Sequence, residues 1–232
     1  MSFDWSFIER NADVLIEGAK FTVSLTIFAT ICGIVFGTFL ALMRLSKSKV
    51  ASRFATAYVV FFRSVPLVQV LLIFYLFVPL LARLALDQRV AIGAETASYM
   101  AFAFFEAAYF AEIIRAGIRS VGPGQLNAAL AIGLPKHQAM RYVVLPQAFL
   151  NVVPILLTQT IVLFQDVSLV YAIGALDFFG AAQRVVQIEY RPVEVYIFVA
   201  VVYFVICFTL SKLVMRLQTN LTKNLNQVGA NT

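Results

Sequence analysis

The stretch N-A-A-L-A-I-G-L-P-K-H-Q-A-M-R-Y-V-V-L-P, residues Asn127 to Pro146, lies between two strongly apolar segments, and its reading decides the fold. Ala128, Ala129 and Leu130 lead into Gly133, where a backbone either approaches another surface closely or turns with positive φ. Pro135 suits the first turn of a short helix over Lys136 to Val144, and Leu145-Pro146 closes the unit. The segment is therefore expected to be an ordered loop, about residues 119–146, rather than a plain connector.

The composition around it is that of a membrane protein. Apolar residues make up 61% of the 232 and the mean hydropathy is +0.87, well above the roughly half-apolar usage of soluble domains. A spanning helix needs about 20 residues. The chain therefore has room for several spans, little extramembrane mass and a single domain, residues 1–232. Its net charge of +6 sits in short loops, where membrane topology explains it better than nucleic acid does. Cys32 and Cys207 fall inside apolar runs with neither disulfide nor metal spacing.

Five spans are expected, at about 21–43, 54–82, 98–121, 147–165 and 195–215. The acidic, amphipathic start, Met1 to Glu17, precedes an apolar run of full spanning length rather than a short signal core. Gly33 and Gly37 share one face of the first span, by chance or to let a neighbouring helix close in. The second run, about 29 residues or ~43 Å as a helix, exceeds a ~30 Å hydrocarbon core and must tilt, kink or protrude. Residues 170–182 are apolar but too short to cross, which suits a re-entrant or interfacial piece shielded by protein.

Charge sets the orientation. Arg44, Lys47, Lys49, Arg53, Arg63, Arg115, Arg119, Lys136, Arg141, Lys212, Arg216 and Lys223 fall on one side with no acid outside the spans. Arg10, Lys20, Arg83, Arg89, Arg184 and Arg191 fall on the other among ten acids. The positive-inside rule then places the N-terminus outside, the C-terminus in the cytoplasm and the 119–146 loop facing the cytoplasm.

Ionisable side chains within spans default to pairing or function. Arg63 and Glu112 come out at matching depth in neighbouring spans, so an ion pair is expected, with Arg115 one turn from Glu112 as a second partner. Glu106 either faces a translocation cavity or sits near the outer interface. Gln69, Gln159, Gln165 and Asp166 complete a candidate polar path; interhelical hydrogen bonding is the commoner use of such amides, and capping of such an aspartate. His137 has no second ligand or acid at useful spacing, so it is neither a metal site nor a base. The sequence carries neither a catalytic triad nor the phosphate-binding G-x-x-x-x-G-K-[ST] pattern. Active transport by this chain would draw its energy from another subunit, and the 119–146 loop is the surface to receive it.

The Ala-Ala pair, Gly133 and the hydrophobic-x-Leu-Pro ending resemble the Glu-Ala-Ala loop of ABC importer permeases. Asn127 stands where that family usually has Glu. Phe62 to Leu67, Phe105 to Ile118, Leu163 to Tyr171, Gly18 and Thr22 extend the resemblance to the polar amino acid permeases, most of all those of glutamate/aspartate importers. It implies an all-α, type I importer permease in a bacterial inner membrane. It implies further a non-enzymatic subunit that binds no cofactor itself, while ATP and Mg are used by two partner ATPase subunits. A sister permease (heterodimer, or a homodimer) and a periplasmic binding protein would complete the assembly, with the lipid bilayer around it and no nucleic acid. Asn127, Ala128, Ala129, Gly133, Lys136, Arg141 and Pro146 would form the coupling surface; Arg63, Gln69, Glu106, Glu112, Arg115, Gln159 and Asp166 would be the path or its internal pairing. A permease for a basic amino acid, glutamine or cystine, or a secondary transporter or channel subunit, stays open at this point.

Overall fold

The computed structural model describes residues 5–86 and 91–230, with side chains for 5–85 and 91–220. Asp4, Asp87, Arg89 and Lys223 of the charge count lie outside the described side chains. A one-turn helix α1 (Phe7–Arg10) precedes the long α2 (Ala12–Leu45), so the first span begins some nine residues before the expected Phe21. Helix α3 (Lys49–Ser64) breaks at Val65-Pro66, and α4 (Leu67–Leu72), a π turn (Ile73–Phe77) and α5 (Val78–Leu86) follow. Helix α6 (Ala94–Ser120) leads to α7 (Pro123–Ala131) and α8 (Lys136–Ala139). A second π turn (Met140–Val144) joins α8 to α9 (Leu145–Asp166), and a 3-10 turn (Val167–Ile173) extends it. Helices α10 (Phe178–Glu189) and α11 (Pro192–Ala230) complete the chain.

Among the described residues, five helical stretches are long and apolar enough to cross a membrane: Ala12–Leu45, Leu67–Ala85, Ala94–Ser120, Lys136–Ile173 and Pro192–Asn220. Two differ in kind from the expected spans. The run 54–82 is not one helix, because Pro66 holds Val65 in the extended region (φ −108°, ψ 134°) and ends α3 at Ser64. Arg63 therefore belongs to the last turn of α3 and not to a crossing helix. Leu145-Pro146, expected to close the loop, lies inside a continuous helix. Both π turns are followed within two residues by a proline, Pro79 or Pro146. Widening the preceding turn makes room for a residue with no N–H to give, so neither proline ends its helix.

Helices α2 and α6 make the most extensive packing in the molecule, and small residues let them close in. A methyl group on Gly37 would lie 2.8 Å from Phe110 Cβ and 2.9 Å from Ala111 N, and one on Gly33 would lie 2.9 Å from the Phe110 ring. The shared face of Gly33 and Gly37 is thus a contact face. Helix α3 packs on both partners through Ala55, Val59, Leu40, Ala107, Ala108 and Ala111.

The segment expected to be shielded at depth, 170–182, is buried by protein over most of its length, while Tyr171, Ala172 and Gly174 are exposed. Gly174 turns the chain at φ +80° after the 3-10 turn. Asp177 then caps α10, accepting from Phe179 N at 3.0 Å and Gly180 N at 2.9 Å. Thr22 Oγ1 accepts from Phe178 N at 2.9 Å, and a Cβ at Gly18 would lie 2.5 Å from Asp177 O, so these two α2 positions seat the turn. At the other end of α10, Glu189 accepts from both Arg10 and Asn11, which holds α1 in place while Phe7 is buried beneath it.

Candidate functional site

The loop 119–146 is a helical hairpin. Pro123 starts α7, whose carboxyl end forms a Schellman motif: Gly133 N donates to Leu130 O at 3.0 Å and Leu134 N to Ala129 O at 3.1 Å. That motif requires a left-handed residue, and Gly133 supplies it with φ +90°. A Cβ there would meet nothing within 4 Å. Of the two roles open to Gly133 in the sequence, the structure uses positive φ, with no close approach within the chain. Pro135 sits one place before α8, its carbonyl accepting from Gln138 N and Ala139 N.

This hairpin presents a mixed surface. Asn127, Ala128, Lys136, Arg141 and Pro146 are exposed, whereas Ala129 and Ala139 are buried within the hairpin. Ile132 and Tyr142, which the sequence reading did not single out, are 79% and 64% exposed. The Arg141 guanidinium stands 5.8 Å from the Tyr142 ring centroid.

The second group gathers around Glu112. Its Oε1 receives Arg115 and its Oε2 receives Arg44, with Arg63 Nη1 at 3.7 Å from Oε2. The expected Arg63–Glu112 and Arg115–Glu112 pairs are present, but Arg44, at the end of α2, is a closer partner than Arg63. Nothing in the sequence distinguishes Arg44 from its basic neighbours in the 44–53 loop; only the parallel packing of α2 and α6 brings its turn level with Glu112. Three guanidiniums on one carboxylate leave a net positive charge where α2, α3 and α6 meet. Arg63, the most exposed of them, also stands 5.6 Å from the Tyr109 ring centroid.

Deeper in α6, Glu106 is fully buried, which removes hydration at an outer interface as its explanation. Its Oε2 accepts from Gln159 Nε2 at 3.2 Å, while Oε1 has no hydrogen-bond partner among the described residues. Asp166 lies near enough for its charge to act on Glu106, and Tyr109 is within electrostatic range of Arg63, Glu106 and Asp166. One polar tract thus runs from Arg63 past Tyr109 to Glu106, Gln159 and Asp166. Tyr109 lies within the 105–118 run but was not itself a candidate. Asp166 does not cap with its side chain. Gln69 is exposed on α4, and among the described residues no side-chain hydrogen bond joins it to the tract. Among the described residues no three His, Cys, Asp or Glu side chains group closely enough to hold a metal ion.

Residues 33–226 match the family model described as the binding-protein-dependent transport system inner membrane component. The chain is 48% identical over 218 residues to the glutamate/aspartate import permease protein GltK of Escherichia coli O6:H1, covering 93% of this chain and 97% of that one. It is 32% identical over 218 residues to the glutamine transport system permease protein GlnP of Escherichia coli K12, covering 94% and 97%. The crystal structure of an amino acid ABC transporter with histidines contains a chain of the same fold, with a TM-score of 0.86 at 35% identity, covering 95% of this chain and 100% of that one. The five-helix architecture is accordingly that of an ABC importer permease, a non-catalytic subunit of the inner membrane. On the family match and these relatives together, the chain belongs to the binding-protein-dependent transport system inner membrane components.

Proposed function

We propose that this chain is a permease subunit of an ATP-driven importer for glutamate and aspartate, receiving its substrate from a binding protein outside the membrane. The observation that carries this reading is the 48% identity with a glutamate/aspartate import permease across nearly the full length of both chains. The net positive cluster of Arg44, Arg63 and Arg115 around Glu112 supports it, since a dicarboxylate moving through a low-dielectric path gains from positive potential. Arg63, Tyr109, Gln159 and Asp166 are the proposed path lining; Glu106, Glu112 and Arg115 support it as internal pairing, and the exposed Gln69 is a separate candidate for the path.

The N-terminus is taken to lie outside and the C-terminus in the cytoplasm, so the α7–α8 hairpin faces the cytoplasm. There Asn127, Ala128, Gly133, Lys136, Arg141 and Pro146 would meet an ATPase subunit, with Ile132 and Tyr142 as apolar anchors and Ala129 as the hairpin's internal packing. One sister permease, two ATPase subunits that use ATP and Mg, and this chain make up the proposed assembly. Closure of the ATPases would move the hairpin as a rigid body and change which side of the membrane the path faces. The 32% identity with a glutamine permease favours a second reading, a permease for another polar amino acid.

Reconstitution of the whole complex with its binding protein tests both readings. Glutamate and aspartate should stimulate ATP hydrolysis and be taken up. Stimulation by glutamine or a basic amino acid, with none by the dicarboxylates, would replace this reading with the second.

A further inference from the structure

An apolar groove of about 230 Å³ opens between α2, α3 and α6, lined by Phe36, Phe39, Phe54, Tyr58, Ala103 and Phe104. The Tyr58 hydroxyl donates to Phe104 O at 2.7 Å, so even the one polar group in the wall is satisfied and the surface is oily. Phe36, Phe39, Phe54 and Phe104 are all exposed around it. The α2–α3 turn and the start of α3, which lead into the Phe54 wall of the groove, are strongly basic. Lys47, Lys49 and Arg53 are exposed, and no acidic residue occurs anywhere between Glu17 and Asp87. Arg53 adjoins Phe54 in sequence, and Lys49 lies one turn before it. The cations behind them, Arg44, Arg63 and Arg115, already share Glu112. None of Lys47, Lys49 and Arg53 has an ion-pair partner among the described residues. The amino end of the 16-residue α3 begins at Lys49 and adds its own partial positive charge.

We propose that this groove is a seat for an anionic phospholipid of the bilayer, with an acyl chain against the phenylalanines and the phosphodiester held by Lys47, Lys49 and Arg53. An apolar trough whose wall continues in the chain into unpaired cations matches a molecule with a hydrocarbon tail and an anionic head. Basic side chains beside a membrane helix attract anionic lipid severalfold each. The inference rests on the chain being a membrane permease; the lipid is assigned to the cytoplasmic leaflet by the orientation proposed above.

The test uses the intact importer complex incubated with equimolar phosphatidylglycerol and phosphatidylcholine, with retained lipid identified by native mass spectrometry and uptake measured separately. Wild type should retain phosphatidylglycerol over phosphatidylcholine by ~10-fold or more. The exposed-surface triple variant K47Q/K49Q/R53Q should lose that preference. Ala103→Trp, which fills the groove, should lose retained lipid of both kinds; if it does not assemble, the triple variant alone decides. Equal retention of the two lipids by wild type, or an unchanged preference in the triple variant, overturns the proposal. It is likewise overturned if the triple variant releases the ATPase subunits and keeps its lipid, or if Ala103→Trp releases the sister permease and keeps its lipid. Loss of lipid preference with uptake intact supports the seat, and a failure of amino acid uptake in wild type bears only on the importer reading.

Discussion

Replacing Glu112 with Gln removes the one negative charge that three arginines share. Gln still accepts a hydrogen bond, so the change isolates charge from shape. The Arg44 and Arg115 side chains are only 13% and 16% exposed, and both would be left as uncompensated cations beside each other. Breaking a fully buried pair costs about 3–5 kcal/mol, and an exposed pair about 0–1 kcal/mol. A cluster at this burial falls between, at roughly 2–3 kcal/mol. For a chain of this size that corresponds to a melting temperature lower by roughly 5–10 °C. Arg63→Gln is the internal control: Arg63 is 44% exposed and 3.7 Å from the carboxylate, so its stability effect should stay under about 1 kcal/mol. The assay is thermal unfolding of the purified complex, paired with uptake. If Arg63 lines the path, its variant loses uptake at near-normal stability. The reasoning is refuted if Glu112→Gln melts with wild type, or if Arg63→Gln is the more destabilising of the two. A Glu112→Gln, Arg44→Gln double variant should recover part of the loss, since it removes the repulsion between Arg44 and Arg115, the two least exposed cations of the cluster.

Further outcomes follow from local geometry. Gly133→Asp should insert and assemble, because a Cβ there meets nothing within 4 Å, yet it strains the φ +90° turn by roughly 1–2 kcal/mol and should uncouple ATP hydrolysis from uptake; normal uptake stoichiometry would count against the hairpin's role. Gly37→Leu forces side-chain atoms into Phe110 and Ala111 and should cost about 1–3 kcal/mol, visible as a lower melting temperature or lost expression. Asp177→Ala removes the α10 cap and should cost about 1 kcal/mol, whereas Asp177→Asn should retain most of it; equal melting temperatures for all three chains would contradict the capping role.

Much of this fold is legible because the bilayer simplifies the reading. Apolar length alone marks five crossings, and Gly33 with Gly37 marks the face on which they close. The continuous helix from Lys136 to Ile173 is not legible, since Leu145-Pro146 reads as the close of the loop and no sequence signal announces the π turn that absorbs Pro146. The expected depth match of Arg63 and Glu112 counts helical rise along one run over 54–82. The chain breaks at Pro66 instead, and the contact survives because Arg63 lies in the last turn of α3, which packs on α6. Arg44 escaped notice for a related reason: in a basic loop its charge is fully accounted for by topology, and only three-dimensional packing shows that it points at Glu112. Tyr109 is an aromatic residue in an aromatic-rich helix, and its place in the polar tract is set by neighbours distant in sequence. In the hairpin, by contrast, Gly133 and Pro135 are local signals for a local structure: Gly133 takes the positive φ that is one of its two open roles, and Pro135 lies one place before the helix in whose first turn it is expected.

The most direct test of the central claim is ATP-dependent uptake of labelled glutamate into proteoliposomes containing the complete complex, its binding protein and either wild-type or Gly133→Asp chain. Concentrative uptake by wild type, with ATP hydrolysis continuing but uptake abolished in the variant, is the predicted result. Uptake that proceeds without ATP, or equally well with Gly133→Asp, would contradict a permease driven through the α7–α8 hairpin.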